Sequence, residues 1–116
     1  MTAAHTPEQP AIDAAINHPT RLAVVAFLSA CDEADFASVR DSCQVSDSML
    51  SKIASALEGI GYLAVRKGYV GKRPRTWLSL TPEGRRALAL HIAALQGIAA
   101  TARQAGAEAG TAPPPH

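Results

Sequence analysis

Aromatic side chains are scarce: one Trp, two Tyr and two Phe occur in 116 residues. So few rings argue against a sandwich of sheets, while abundant Ala, Leu, Val and Ile favour close-packed helices. Cysteine is scarcer still. Cys31 and Cys43 stand alone without C-x-x-C spacing, which argues against a disulfide scaffold, a zinc site or a reactive thiol pair. His18 and His91 are likewise isolated, so no metal is expected. No apolar run approaches the roughly 18 residues of a membrane span, and no secretory leader opens the chain. A cytoplasmic, reduced protein without a membrane partner is therefore expected. Missing too are a Ser/His/Asp constellation, a glycine-rich phosphate loop and paired carboxylates on one face, so an enzyme and a cofactor are not expected.

Acid is the other thing lacking, in one region. Residues 66–86 hold seven of the eleven bases and a single acid, Glu83. Residues 1–50 hold seven of the ten acids and only Arg21 and Arg40 among bases. The net charge is only +1, yet a chain polarised in this way can present a polyanion with one basic face. At its length it is one domain with a real core.

In chain order, residues 1–10 read as a flexible tail. Residues 11–17 suit a short helix, with Ile12 and Ile16 four apart, and His18-Pro19 breaks it. Residues 20–31, TRLAVVAFLSAC, are apolar on nearly every side, as in a buried central helix. Residues 32–35 make a turn, and Asp35 is placed to cap a helix over 36–42. Ser46 or Asp47 then caps a helix with Leu50, Ile53, Leu57 and Ile60 along one face and Gly61 as its left-handed terminus. Its opposite face carries Ser48, Met49, Ser51, Lys52 and Ser55.

Two β-prone runs follow, 62–67 and 76–80, around a long tip holding Gly68, Gly71 and Pro74. Arg66, Lys67, Lys72, Arg73 and Arg75 cluster there without an acid. Such a hairpin would grip a phosphate backbone; its charge would equally keep a merely solvated hairpin in solution. Thr81-Pro82-Glu83 is a helix start, with a capping hydroxyl, proline at the first position and an acid in the first turn. That helix is expected over 82–103. Its residues Leu88, Ile92, Leu95 and Ala99, continued by Ala102, form a heptad seam fit for a second copy of the chain. Arg85 and Arg86 oppose the macrodipole of its first turn, and a salt bridge to the acidic N-terminal half is the expected offset. Residues 104–116, rich in Gly, Ala and Pro, read as a disordered tail.

The pattern is a mainly α fold with a small β-hairpin (α+β): a winged helix-turn-helix over 11–103 ending in a long dimerisation helix. The stretches HPTRLAVVAFL, EADFASVRD, SDSMLSKIASALEGIGYLAV and GKRPRTWLSLTPEGR resemble the bacterial winged-helix transcriptional regulators related to the MarR and ArsR families. The specific pieces are Leu57-Glu58 with Gly61-Tyr62, the triplet Pro74-Arg75-Thr76, and Leu80-Thr81 with Gly84-Arg85. The resemblance implies a homodimer that binds double-stranded DNA as a repressor or activator, with a repressor the preferred reading. Its recognition helix would present Ser46, Ser48, Met49, Ser51, Lys52 and Ser55, and its wing Arg66, Lys72, Arg73, Arg75 and Thr76. Met49 stands where Gly or Asn is frequent and offers bases only an apolar contact, such as to a thymine methyl. A small-molecule effector of unknown identity has room between the last helix and the winged domain, although no residue cluster specifies one. The alternative is a winged-helix module that grips a protein through the hairpin and Trp77.

Overall fold

A computed structural model describes residues 11–110. The elements run α1 (Pro19–Ser29), β1 (Ala34–Asp35), α2 (Phe36–Cys43), α3 (Asp47–Gly59), β2 (Leu63–Val70), β3 (Arg73–Leu80) and α4 (Pro82–Ala109). The three strands make one antiparallel sheet in the order β1-β3-β2. This is the expected winged helix-turn-helix.

Capping chemistry sets most boundaries. Asp35 accepts from the Ser38 N–H at the start of α2, Ser46 from the Met49 N–H at the start of α3, and Thr81 from the Gly84 N–H at the start of α4. Each side-chain oxygen satisfies a backbone donor that has no partner inside its helix. Gly61, at φ +83°, takes the left-handed place after α3 that the sequence assigns it.

One core lies between the helices and the inner face of the sheet. Val24, Val25 and Leu28 of α1, Val39 of α2, Leu50, Ile53 and Leu57 of α3, Leu63, Leu78 and Leu80 of the sheet and Leu88 of α4 meet there. The α1 helix is not buried all round: Ala23 and Ala26 face solvent, because small residues leave that side nothing to cover it. Ile60, expected on the buried stripe of α3, is 51% exposed, because the helix ends one residue before it and the chain turns away.

Four local expectations are corrected. Residues 11–17 form a turn rather than a helix: Asp13 Oδ1 accepts from the Ala15 N–H and the Asp13 carbonyl from the Ile16 N–H. The aspartate competes for local backbone donors, while Ile16 still reaches the core and is fully buried. Within 32–35, Ala34 and Asp35 are a short strand paired with Leu78 and Trp77 rather than part of a turn. The hairpin has a tight two-residue tip, Gly71-Lys72, with strands of eight residues each. Gly71 adopts φ +62° there, as the tight turn requires. Pro74 pairs with Tyr69, one step beyond the closing pair Val70–Arg73. That step falls between hydrogen-bonded pairs, so the missing N–H costs the ladder nothing. Finally, α4 continues through Ala109, so residues 104–109, expected in the tail, are helical. The remaining tail expectations, for 1–10 and 111–116, lie outside the described residues.

A close backbone approach joins α3's exit to α4. A Cβ on Gly84 would stand 2.1 Å from the Tyr62 carbonyl oxygen. Thr81 ties the same junction, donating its N–H to Tyr62 O at 3.1 Å and its hydroxyl to Gly61 O at 2.6 Å.

Candidate nucleic-acid interface

Two helices and a three-residue turn build the first half of the interface. Gln44, between α2 and α3, adopts a left-handed φ of 55°. No glycine or asparagine advertises this conformation in the sequence. Its N–H and the Val45 N–H are taken up by Asp41 O and Arg40 O, which closes the turn tightly. Arg40 locks the two helices together from outside. Its guanidinium donates to Asp41 at 2.8 Å and, across the turn, to Asp47 in the first turn of α3 at 2.9 Å. Asp41 first, then Asp47, holds Arg40 firmly protonated. The pair also neutralises acid in the first turn of α3. Sequence reasoning assigned Arg40 no role, because nothing in its spacing marks a partner seven residues on.

Beyond this clamp, Ser48, Met49, Ser51, Lys52 and Ser55 are all exposed on one side of α3, with Leu50, Ile53, Ala54 and Leu57 on the buried side. Ser46 is engaged as the cap, with its hydroxyl also 3.3 Å from that of Ser48. Lys52 is the one cation of α3. The small hydroxyl-bearing residues around it leave room for close backbone approach.

The hairpin supplies the second half. Register places Arg66, Gly68, Arg75 and Trp77 on one face of the ladder and Lys67 and Thr76 on the other. Lys72 sits at the tip, and Lys72, Arg73 and Arg75 are exposed, whereas Thr76 is half-buried. Among the described residues these three cations have no carboxylate within salt-bridge distance. Arg66 differs. It binds Glu33 through two N–H groups, at 3.0 and 2.6 Å, and its guanidinium lies over the Trp77 ring. The arginine that ties the hairpin to the body through an acid is thus Arg66. Gly68 makes room for the indole: a Cβ there would stand 3.1 Å from Trp77 Cζ3.

The salt bridge expected to offset Arg85 does not form among the described residues. Arg85 donates to the carbonyls of Ser29 and Cys31, at 3.1 and 2.9 Å. These lie at the C-terminal end of α1, where a cation complements the helix dipole. Leu88, placed by sequence in an intermolecular seam, is only 6% exposed and belongs to its own domain's core. Ile92 and Leu95 remain 40% and 38% exposed, and Ala99 is exposed as well.

Cys31 and Cys43 are free and half-buried, and burial pushes the Cys43 thiol up, away from the reactive thiolate. Among the described residues no group of three or more His, Cys, Asp or Glu side chains is placed to hold a metal. No helix among them is long and apolar enough to cross a membrane.

Comparison with known proteins matches residues 20–99 to the winged helix DNA-binding domain family. Sequence comparison with curated proteins finds no match. Among solved structures, a transcriptional regulator homologue from Pyrococcus horikoshii OT3 superposes with a TM-score of 0.70 at 22% identity, covering 75% of this chain and 86% of that one. The PcaV transcriptional regulator from Streptomyces coelicolor gives 0.56 at 26% identity over 68% of this chain and 60% of that one. BpsR from Bordetella bronchiseptica, described with a mechanism for regulation of its DNA binding by 6-hydroxynicotinic acid, gives 0.63 at 17% identity, with 78% and 67% covered.

Proposed function

The chain belongs to the winged helix DNA-binding domain family, and from that premise we propose that it works as a homodimeric, sequence-specific transcriptional repressor in the cytoplasm. The observation that carries the reading is the continuous exposure of Ser48, Met49, Ser51, Lys52 and Ser55 beside a wing whose Lys72, Arg73 and Arg75 have no carboxylate within salt-bridge distance among the described residues. An α-helix fits the major groove, where Ser48, Ser51, Lys52 and Ser55 meet base edges and phosphates and Met49 offers an apolar contact. Ser46 contributes through the cap that aims the helix. Lys72, Arg73 and Arg75 hold the backbone, with Thr76 at the root of the wing. Arg66 gives two of its five N–H donors to Glu33, which fixes the wing's pose, and the remaining donors stay available to a phosphate.

Homodimerisation rests on α4. From Leu95 onward every described residue is exposed, with Leu95 and Ile98 among the exposed apolar side chains. A stretch of 15 helical residues leaving the domain, about 22 Å long, is covered by none of the other described residues. Pairing through Ile92, Leu95, Ala99 and Ala102 of two copies covers it and sets two recognition helices in successive major grooves.

The other reading, a protein-gripping module anchored on Trp77, is weakened because Arg66 covers that ring at 4.0 Å. Selection of bound duplexes from a random pool tests the proposal. It should return a two-fold symmetric site with half-sites about one helical turn apart. Recovery of no preferred sequence would remove the claim of specific recognition.

A further inference from the structure

His91, on α4, is fully buried, and the DNA interface makes no use of it. Its Nδ1 accepts from the Asp13 N–H at 3.0 Å, so the neutral ring carries its proton on Nε2. Nε2 is buried and has no hydrogen-bond partner among the described residues. Asp13 is tied twice more, its carboxylate accepting from the Tyr62 hydroxyl at 2.6 Å and from the Ala15 N–H at 2.9 Å. The first of these bonds holds the Tyr62 hydroxyl above its ordinary titration range. One aspartate thus joins the segment before α1, the exit of α3 and α4.

That segment also lies along the recognition helix. Tyr62 closes the C-terminal turn of α3, donating its N–H to Leu57 O at 2.9 Å. Ala14 and Asn17 line the same groove as Met49, Lys52 and Ile53 of α3. Ile16 is fully buried and anchors the end of the segment nearer α1. Residues 11–15 are therefore a strap held between that anchor and His91.

A proton on Nδ1 would set two donors face to face and bury a charge. The Asp13 carboxylate could take the charged ring only by leaving Tyr62 and Ala15. The elements packed on α4 are α1 and β3. Arg21, the one charged residue of α1, donates to Ala15 O, and Arg73 and Arg75 of β3 stand toward the wing tip. On α4 itself Arg85 is taken up by the Ser29 and Cys31 carbonyls, while Glu83 and Arg86 are exposed. The held strap therefore admits only neutral His91, so it is favoured at higher pH and lost as pH falls.

We propose that Asp13, Tyr62 and His91 form a proton-operated latch: a proton on His91 frees residues 11–15, which unseats α3 and weakens duplex binding. The second half rests on the placing of α3 on DNA; the first does not.

The test follows the full chain from about pH 8 to about pH 5 at fixed ionic strength. The Asp13 amide NMR signal should shift in one transition, and its hydrogen-exchange protection factor should drop roughly tenfold. In His91→Gln the side-chain oxygen still accepts from Asp13 but takes up no proton, and the transition should vanish. Duplex affinity of the unaltered chain should fall roughly tenfold relative to that variant across the same range. His18 is exposed and caps α1, and His18→Gln should leave the Asp13 transition in place. Tyr62→Phe, which frees the Asp13 carboxylate for a charged ring, should move the transition to higher pH. An Asp13 amide that does not respond, a transition that survives His91→Gln, or an unmoved midpoint in Tyr62→Phe would overturn the latch and leave the DNA reading intact. An Asp13 transition that duplex affinity does not follow would overturn the link to α3.

Discussion

The Arg66 guanidinium lies 4.0 Å from the centre of the Trp77 ring, directly across the ladder from it. Glu33 clasps the same guanidinium from the segment before β1. The wing is therefore fastened to the body by a cation that is held between an aromatic face and a carboxylate.

Its pH dependence has a definite sign. The hydrogen bond from Arg66 holds the Glu33 carboxyl below its usual 4.5. A lowered folded-state pKa gives stability that is present above the unfolded value and lost as pH falls through the folded one. Trp77 is the only tryptophan, so its fluorescence reports the contact. A transition with a midpoint below 4.5 is expected, and Glu33→Gln should abolish it. An unchanged transition in that variant would assign it to another group.

Gly84 has the least room for a side chain of the glycines. With a Cβ built there standing 2.1 Å from a backbone oxygen, Gly84→Ala must push α4 away from Tyr62. A loss of about 1–3 kcal/mol is expected in denaturant unfolding. Gly97, whose Cβ would meet nothing within 4 Å, should accept alanine with no loss, since alanine is the better helix former.

Leu88 and Leu95 lie seven residues apart on α4 and should behave in opposite ways. Leu88→Ala opens a hole in the core, costing about 2–5 kcal/mol, without altering the oligomeric mass. Leu95→Asp should leave each domain folded and reduce the mass seen by light scattering to that of a monomer. An unchanged mass would exclude Leu95 from the contact between copies.

How much of this was legible in the sequence depends on how local the cause is. Asp35, Ser46, Gly61 and Thr81 act within a few residues of themselves, and their chemistry announces itself at fixed spacing. The exposed face of α3 was legible for the same reason, as the complement of a stripe whose period is known. The hairpin tip was misjudged because Gly68 and Pro74 resemble loop residues; their causes are an indole packed across the ladder and an unneeded donor, both tertiary. Arg66 and Glu33 are 33 residues apart, and Arg85 reaches carbonyls more than 50 residues away. No periodicity encodes such partners. Leu88 was placed in the seam because a heptad pattern does not say which turn of a helix has already met its own domain.

The central claim is that α3 and the wing of two copies hold a DNA duplex largely by its phosphates. Measuring duplex affinity against salt tests it most directly. With about four phosphate contacts from each copy, log K should fall against log salt with a slope of roughly −7, and Arg75→Ala should make it shallower by about 2 in the dimer. A slope near zero, or one that Arg75→Ala leaves unchanged together with the affinity, would contradict the account.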